Sequence, residues 1–135
     1  MSKFSLPILL FISSFVFAQN SDLTVSVSGI KNNTGSLTAE LYNAKDKFLK
    51  VSYKVISSPI KSNATTVTFT EIPKGEYTVL VYHDENKNGK LDKNFIGMPK
   101  EPVACSNNAK GFMGSPKYDD AKFTVITDTK INIKM

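Results

Sequence analysis

The chain has 135 residues, 21% of them charged, with a formal net charge of +5 and a single cysteine. That length holds one domain with one core, and one cysteine excludes an internal disulfide framework. All seventeen basic residues are lysines scattered along the chain, so the bidentate arginine contacts on which nucleic-acid readers lean are missing and no nucleic-acid partner is expected. The charge instead describes a solvated lysine-rich surface, with at most a weak attraction to anionic cell-surface polymers.

Residues 1–18 read as a targeting segment. Lys3 gives a short positive start, Phe4 to Phe17 is an apolar run interrupted by Ser5, Pro7, Ser13 and Ser14, and Val16-Phe17-Ala18 offers small residues at −3 and −1 of a signal-peptidase site. Removal of this signal peptide leaves residues 19–135 as the mature domain and lowers the charge by one, through Lys3. No second stretch is long enough to span a bilayer. The expected destination is the periplasm or the exterior.

Within 19–135 the dominant period is two, the mark of half-buried strands. Leu23, Val25 and Val27 alternate with polar residues, Lys31-Asn32-Asn33-Thr34-Gly35 is a turn, and Leu37, Ala39 and Leu41 alternate again; the pair reads as a hairpin. Residues 44–50 are polar around Phe48 and Leu49. Val51, Tyr53 and Val55 form a short edge strand, and Ser57 to Asn63, with Pro59, a loop. Val67 and Phe69 sit in a threonine-rich run, and Ile72-Pro73-Lys74-Gly75 is a tight turn. Glu76 to His83 is apolar on both faces, which places it at the centre of a sheet. Phe123 and Val125, a turn near Asp128, and Ile131, Ile133 and Met135 close the chain. The expected fold is all-β: one antiparallel β-sandwich of about seven strands, immunoglobulin-like or prealbumin-like in outline. Asp84 to Asp120 has no sustained period and is read as one long ordered loop, pinned by Phe95, Ile96, Phe112 and Met113.

That loop opens on Asp84-Glu85-Asn86-Lys87-Asn88-Gly89-Lys90-Leu91-Asp92. With Asp84 as position 1, oxygen-bearing side chains fall at 1, 3, 5 and 9 and glycine at 6, the spacing of a calcium loop. Alternate residues of such a curled loop point inward. The expected ligands are Asp84, Asn86, Asn88, the carbonyl of Lys90, and Asp92, with Leu91 tucked into the core. Position 12 is Phe95 where a bidentate glutamate belongs, so a further ligand must come from Glu101, Asp119, Asp120 or water. With two charged side chains among the four matched, affinity for Ca²⁺ is expected to be weak, about 10⁻⁴ to 10⁻³ M. A loop of this composition can alternatively hydrogen-bond to itself and bind nothing.

His83 is the only histidine. A hydrolase or isomerase built on His83, Asp84 and Ser106 is the alternative reading, but neighbouring strand residues face opposite ways and no Gly-x-Ser-x-Gly elbow is present. A lone histidine also makes a poor zinc site. No enzymatic activity is expected. A carrier holding a small apolar ligand inside the sandwich is a third reading. Cys105 is expected to be a buried, inert thiol. Ser106-Asn107-Asn108-Ala109 and Gly114-Ser115-Pro116 are runs suited to satisfying the loop's own backbone, or to a polar recognition surface.

Tyr82-His83-Asp84-Glu85-Asn86, Asn88-Gly89-Lys90-Leu91-Asp92, Asn94, Gly97, Pro99, Glu101, Ser106-Asn107-Asn108-Ala109, Pro116, Asp120-Ala121 and Phe123 together resemble the exported bacterial proteins grouped as domain of unknown function 2141. The resemblance spans about Leu23 to Met135, and a string of that length with fixed gaps is specific. Ala104-Cys105 departs from that pattern, where a glycine and an aromatic or aliphatic residue are more usual, so the resemblance implies no general role for Cys105. The family implies an exported β-sandwich, similar in outline to prealbumin-like and adhesin B-type modules, some of which carry calcium loops; it implies no activity. The sequence therefore leads to an accessory or binding module of the cell envelope with an unidentified partner.

Overall fold

The computed structural model describes residues 19–92, 99–111 and 116–135; the leader 1–18 and Phe95, Ile96, Phe112 and Met113 lie outside them. Among the described residues eight strands form two sheets. They are β1 (Ser21–Ser28), β2 (Ser36–Tyr42), β3 (Lys54–Pro59), β4 (Thr65–Ile72), β5 (Gly75–Asp84), β6 (Val103–Cys105), β7 (Phe123–Val125) and β8 (Thr129–Lys134). The smaller sheet runs β4-β1-β8, and the larger runs β3-β2-β5-β6, with β7 also paired to β5. One helical turn, α1 (Tyr118–Ala121), precedes β7. Among the described residues no helix is long and apolar enough to cross a membrane.

The core lies between the sheets and follows from the period-two pattern. Leu23, Val25 and Val27 of β1, Val67 and Phe69 of β4, Leu37, Ala39 and Leu41 of β2, and Val79 and Val81 of β5 all belong to one buried cluster. Strand β5 is buried from Tyr77 to Asp84. Its outer face is covered by a second cluster of Tyr42, Leu80, Cys105 and Ala121, on which Phe48, Leu49 and Leu91 pack. Rings of Tyr42, Phe48 and Tyr118 meet edge to face in sequence, 5.5 and 5.7 Å apart. Double burial explains why β5 lacks the polar alternation of its neighbours.

Several expectations change. The first two strands do not form a hairpin: β1 pairs β4 and β8, and β2 pairs β3 and β5. The connection carries Ile30 into the core, where its N–H reaches Asn63 O at 3.0 Å, and this requires the chain to cross from one layer to the other. The sandwich is also not purely antiparallel, because β1 and β8 run parallel in register from Leu23↔Thr129 to Ser28↔Lys134.

Strand β3 shows the opposite face from the one its apolar residues suggest. Ala39 pairs with Ile56, and directly opposed residues share a face, so Ile56 packs on the core and Val55 turns out, 51% exposed. Tyr53 and Val51 are exposed with it. Pairing to β2 sets this register, and a one-residue slip reverses every side chain. The strand also continues to Pro59, past the loop start expected at Ser57; as the edge of its sheet it needs no donor on that side. Finally, the 84–120 stretch is not loop throughout, since it contributes β6, a 3-10 turn over Ser106–Asn108 and most of α1.

Candidate functional site

Tyr82, His83 and Asp84, consecutive at the end of β5, each hold a different piece of chain. Tyr82 faces outward and its hydroxyl donates to Gly89 O at 3.3 Å. His83 faces inward, fully buried, and its Nε2 donates to Thr34 O at 2.6 Å. Its Nδ1 has no hydrogen-bond partner and lies 3.8 Å from Glu85 Oε1. Asp84, again outward and buried, accepts the N–H groups of Asn88 at 3.2 Å and Gly89 at 2.8 Å. The carboxylate thus satisfies two donors of the turn that follows it.

Gly35 completes this corner. Its φ is +73°, and a Cβ placed there would stand 2.2 Å from Asp84 O and 2.7 Å from Glu85 Cα. The connection after β1 is therefore pressed against the base of the Asp84–Asp92 loop, a contact that no local pattern in the sequence announces. Gly89 also has positive φ, +73°, but nothing lies within 4 Å of where its Cβ would be. There glycine answers to backbone conformation alone.

All four oxygen-bearing side chains expected in the loop come together, and Leu91 packs on the second cluster as its spacing predicts. Asn86 and Asn88 donate from Nδ2 to the two oxygens of Asp92, at 2.9 and 2.8 Å. Their own oxygens accept backbone N–H groups, Asn86 from Asn88 at 3.2 Å and Asn88 from Lys90 at 2.9 Å. These donors, Asn88 first, hold the Asp92 carboxyl below its ordinary range. The loop is therefore closed by its own hydrogen bonds. An ion drawing on Asn86 and Asn88 would have to replace both amide donors on Asp92.

Of the candidates for a further ligand, Glu101 is the one that lies here. It accepts from the backbone of Asp92, and burial, with the charges of Asp92 and Asp84 adding to it, pushes its carboxyl up. Its Oε2 is buried without a partner. Asp119 is elsewhere, 3.3 Å from Lys45 and 3.7 Å from Lys122, and Asp120 sits beside it in α1. Among the described residues no three Asp, Glu, His or Cys side chains gather closely enough to hold a metal by themselves. Any cation here must draw on amide or carbonyl oxygens, which is the chemistry of calcium rather than of zinc. An orphaned carboxylate oxygen beside Asp92, in a donor set made wholly of oxygen, fits such an ion.

The sequence profile of the family described as "Uncharacterized protein conserved in bacteria (DUF2141)" matches residues 25–134. The chain belongs to the DUF2141 family. No curated protein and no solved structure matches it.

In this DUF2141 chain Ser106 is not placed near His83. Its hydroxyl donates to Ala121 O at 2.5 Å and accepts Val79 N–H at 3.0 Å, fully buried. Val79 and His83 are four strand residues apart, about 13 Å, so His83, Asp84 and Ser106 do not assemble. The run Ser106-Asn107-Asn108 instead staples distant segments. Asn107 Nδ2 donates to Asp120 O and Lys122 O, and Asn108 Oδ1 accepts Lys134 N–H at 3.0 Å. Both asparagines have φ between +50° and +58°, which asparagine tolerates better than most residues. The expectation that this run serves the loop's own backbone is thus too narrow, because it binds β5, β8 and the segment around α1 together. Cys105 is buried beside Tyr42 and Leu80, and that burial pushes its thiol up to about 12.

Proposed function

We propose that this DUF2141 protein is a non-enzymatic, exported accessory or binding module of the cell envelope whose Asp84–Asp92 loop takes up a weakly held calcium ion. Export rests on the apolar leader ending in Val16-Phe17-Ala18. The ion rests on one observation above the rest, the Glu101 carboxyl pressed against that of Asp92, its Oε2 buried and without an N–H donor. A buried carboxylate oxygen with no donor is costly, and a cation at the lip of the loop would satisfy it. Asp84, Asp92, Glu101, the amide oxygens of Asn86 and Asn88 and the Lys90 carbonyl would hold the ion. Its charge would offset the mutual repulsion of the three carboxylates, and the loop would gain rigidity. The module's partner would then meet a surface whose shape depends on extracellular calcium.

Melting of the purified protein in excess chelator, then in about 5 mM Ca²⁺, tests this. For a dissociation constant near 0.1 mM, linkage gives about 2 kcal/mol, a rise of roughly 8 °C at this size. Glu101→Gln, which keeps the shape and removes the charge, should abolish most of the rise, and Mg²⁺ should not reproduce it. No shift up to about 5 mM would leave the loop as a self-bonded turn and remove the calcium reading.

A further inference from the structure

The chain enters β3 through a tight turn in which the N–H groups of Lys50 and Val51 both reach Lys47 O at 2.9 Å. Phe48 and Leu49 face inward from this turn and pack on the second cluster, with the Phe48 ring lodged between those of Tyr42 and Tyr118. The apolar residues that follow stand out in solvent. Val51 is 61% exposed, Tyr53 40% and Val55 51%, every second residue along the chain. Of the five large apolar side chains exposed among the described residues, these three fall within one five-residue stretch. Scattered single ones would be ordinary; a cluster marks an interaction surface. β3 is also the edge of its sheet, and an edge carrying exposed apolar side chains invites association.

Lysines surround this patch. The Lys54 ammonium donates to Thr70 O at 3.3 Å and lies 5.7 Å from the Tyr53 ring centroid. Lys50 directly precedes Val51, and the Lys47 carbonyl is bonded to Val51 N–H. Both are therefore attached to the chain within the distance, about 8–10 Å, over which an exposed charge is felt in physiological salt. None of Lys47, Lys50 and Lys54 forms an ion pair with a described Asp or Glu. Residues 45–55 carry four lysines against one acid, Asp46. Glu40 opposes Val55 on the neighbouring strand, and its carboxylate accepts the Tyr42 hydroxyl.

Exposed apolar side chains ringed by unpaired lysines complement an anionic lipid surface. The apolar groups enter among the head groups, tyrosine suits the interface, and lysine stems reach along it to the phosphates. A stable protein complex covers about 800 Å² on each partner, of which three half-exposed side chains supply only a fraction. A fluid bilayer needs no matching shape. We propose that the turn before β3 rests on an anionic membrane surface, with Val51, Tyr53 and Val55 in the head-group layer and Lys47, Lys50 and Lys54 on lipid phosphates. Phe48 and Leu49, anchored in the second cluster, hold the turn ready for this contact. The attachment is peripheral and reversible. It deepens the envelope-module reading, on which it rests for the membrane being within reach, and it does not depend on calcium.

Cosedimentation with vesicles of equal parts phosphatidylglycerol and phosphatidylcholine tests this on the processed protein, which keeps all eight strands. Excess chelator throughout makes the outcome independent of the Asp84–Asp92 loop, so failure of the calcium reading and failure of this one are distinguishable. Binding should saturate at about 0.15 M salt, weaken as salt rises, and vanish on pure phosphatidylcholine. Val51→Thr with Val55→Thr, which keeps the β-branched shape, should weaken it about tenfold, a few-fold for each half-exposed valine. Lys47→Gln with Lys50→Gln should weaken it about 25-fold, about fivefold for each lysine at an anionic surface. Lys130→Gln with Lys134→Gln removes the same charge from β8, at the far edge of the smaller sheet, and should change binding less than about twofold. All these positions are exposed, so the melting temperature should hold in every variant. Equal losses from the two lysine pairs, or binding untouched by the valine changes, would overturn the proposal. So would no sedimentation by about 1 mM lipid, ten times what a single acyl chain needs, which would leave the patch to a protein partner.

Discussion

Replacing Ser106 with alanine removes one oxygen and, with it, the partners of two buried backbone groups. In the native protein that oxygen donates to Ala121 O and accepts Val79 N–H, joining the central strand to the end of α1. The residue is fully buried, so water cannot take over either role. An unsatisfied buried backbone group costs about 1–3 kcal/mol, and two of them place the loss at about 2–6 kcal/mol. For a domain of this size that lowers the melting temperature by roughly 8–24 °C. Urea denaturation monitored by far-UV circular dichroism measures it, with the midpoint falling and the m-value unchanged. Asn107→Gly is the control, since glycine keeps the left-handed φ of +58° without strain. The Asn107 amide serves Asp120 O and Lys122 O at an exposed position, so its loss should cost only about 0.5–1.5 kcal/mol. A Ser106→Ala midpoint within about 0.5 kcal/mol of wild type, the usual scatter of surface substitutions, would refute the staple.

Gly35→Ala and Gly89→Ala should separate sharply by differential scanning calorimetry. Gly35→Ala drives a Cβ into Asp84 O and should cost about 3 kcal/mol or more, whereas Gly89→Ala meets open space and should cost only the left-handed backbone penalty, about 1–2 kcal/mol. Cys105 should resist alkylation at pH 8 in the folded state and react once urea unfolds the chain. Its folded pKa, about 12, stands above the ordinary 9.0, so its contribution to stability is complete below pH 9. The contribution is then lost as pH rises toward 12, at about 1.4 kcal/mol per pH unit; Cys105→Ala should flatten the alkaline limb of the stability curve by that amount. Expressed in a bacterium with an intact export pathway, the protein should be recovered with Gln19 at its N-terminus by intact-mass measurement. Retention of residues 1–18 would count against the signal peptide.

The division between what could be read from residues and what could not follows range. Alternation of Leu23, Val25 and Val27, or of Leu37, Ala39 and Leu41, is local, and it determined that these segments are strands and which side chains are buried. The double-sided apolarity of Glu76 to His83 likewise marked β5 as central, and the spacing of Asp84, Asn86, Asn88 and Asp92 marked side chains that do converge. Pairing is not local. Whether Leu23 neighbours Leu37 or Thr129 depends on where Ile30 finds burial and on Gly35 meeting Asp84, contacts between residues tens of positions apart. The same holds for β3, whose outward Val55 follows from register against Ala39 and not from its own hydrophobicity. Ser106, Asn107 and Asn108 were legible as groups that bond to backbone, yet only the packing of β5, α1 and β8 around them decided which backbone. Glu101 was one of several equivalent carboxylates along the chain, until the fold laid it beside Asp92 with one oxygen buried and unpaired. Side-chain chemistry and period are written residue by residue; the partner of a strand edge or a buried polar atom is set by long-range packing, because burial is satisfied by the whole chain at once.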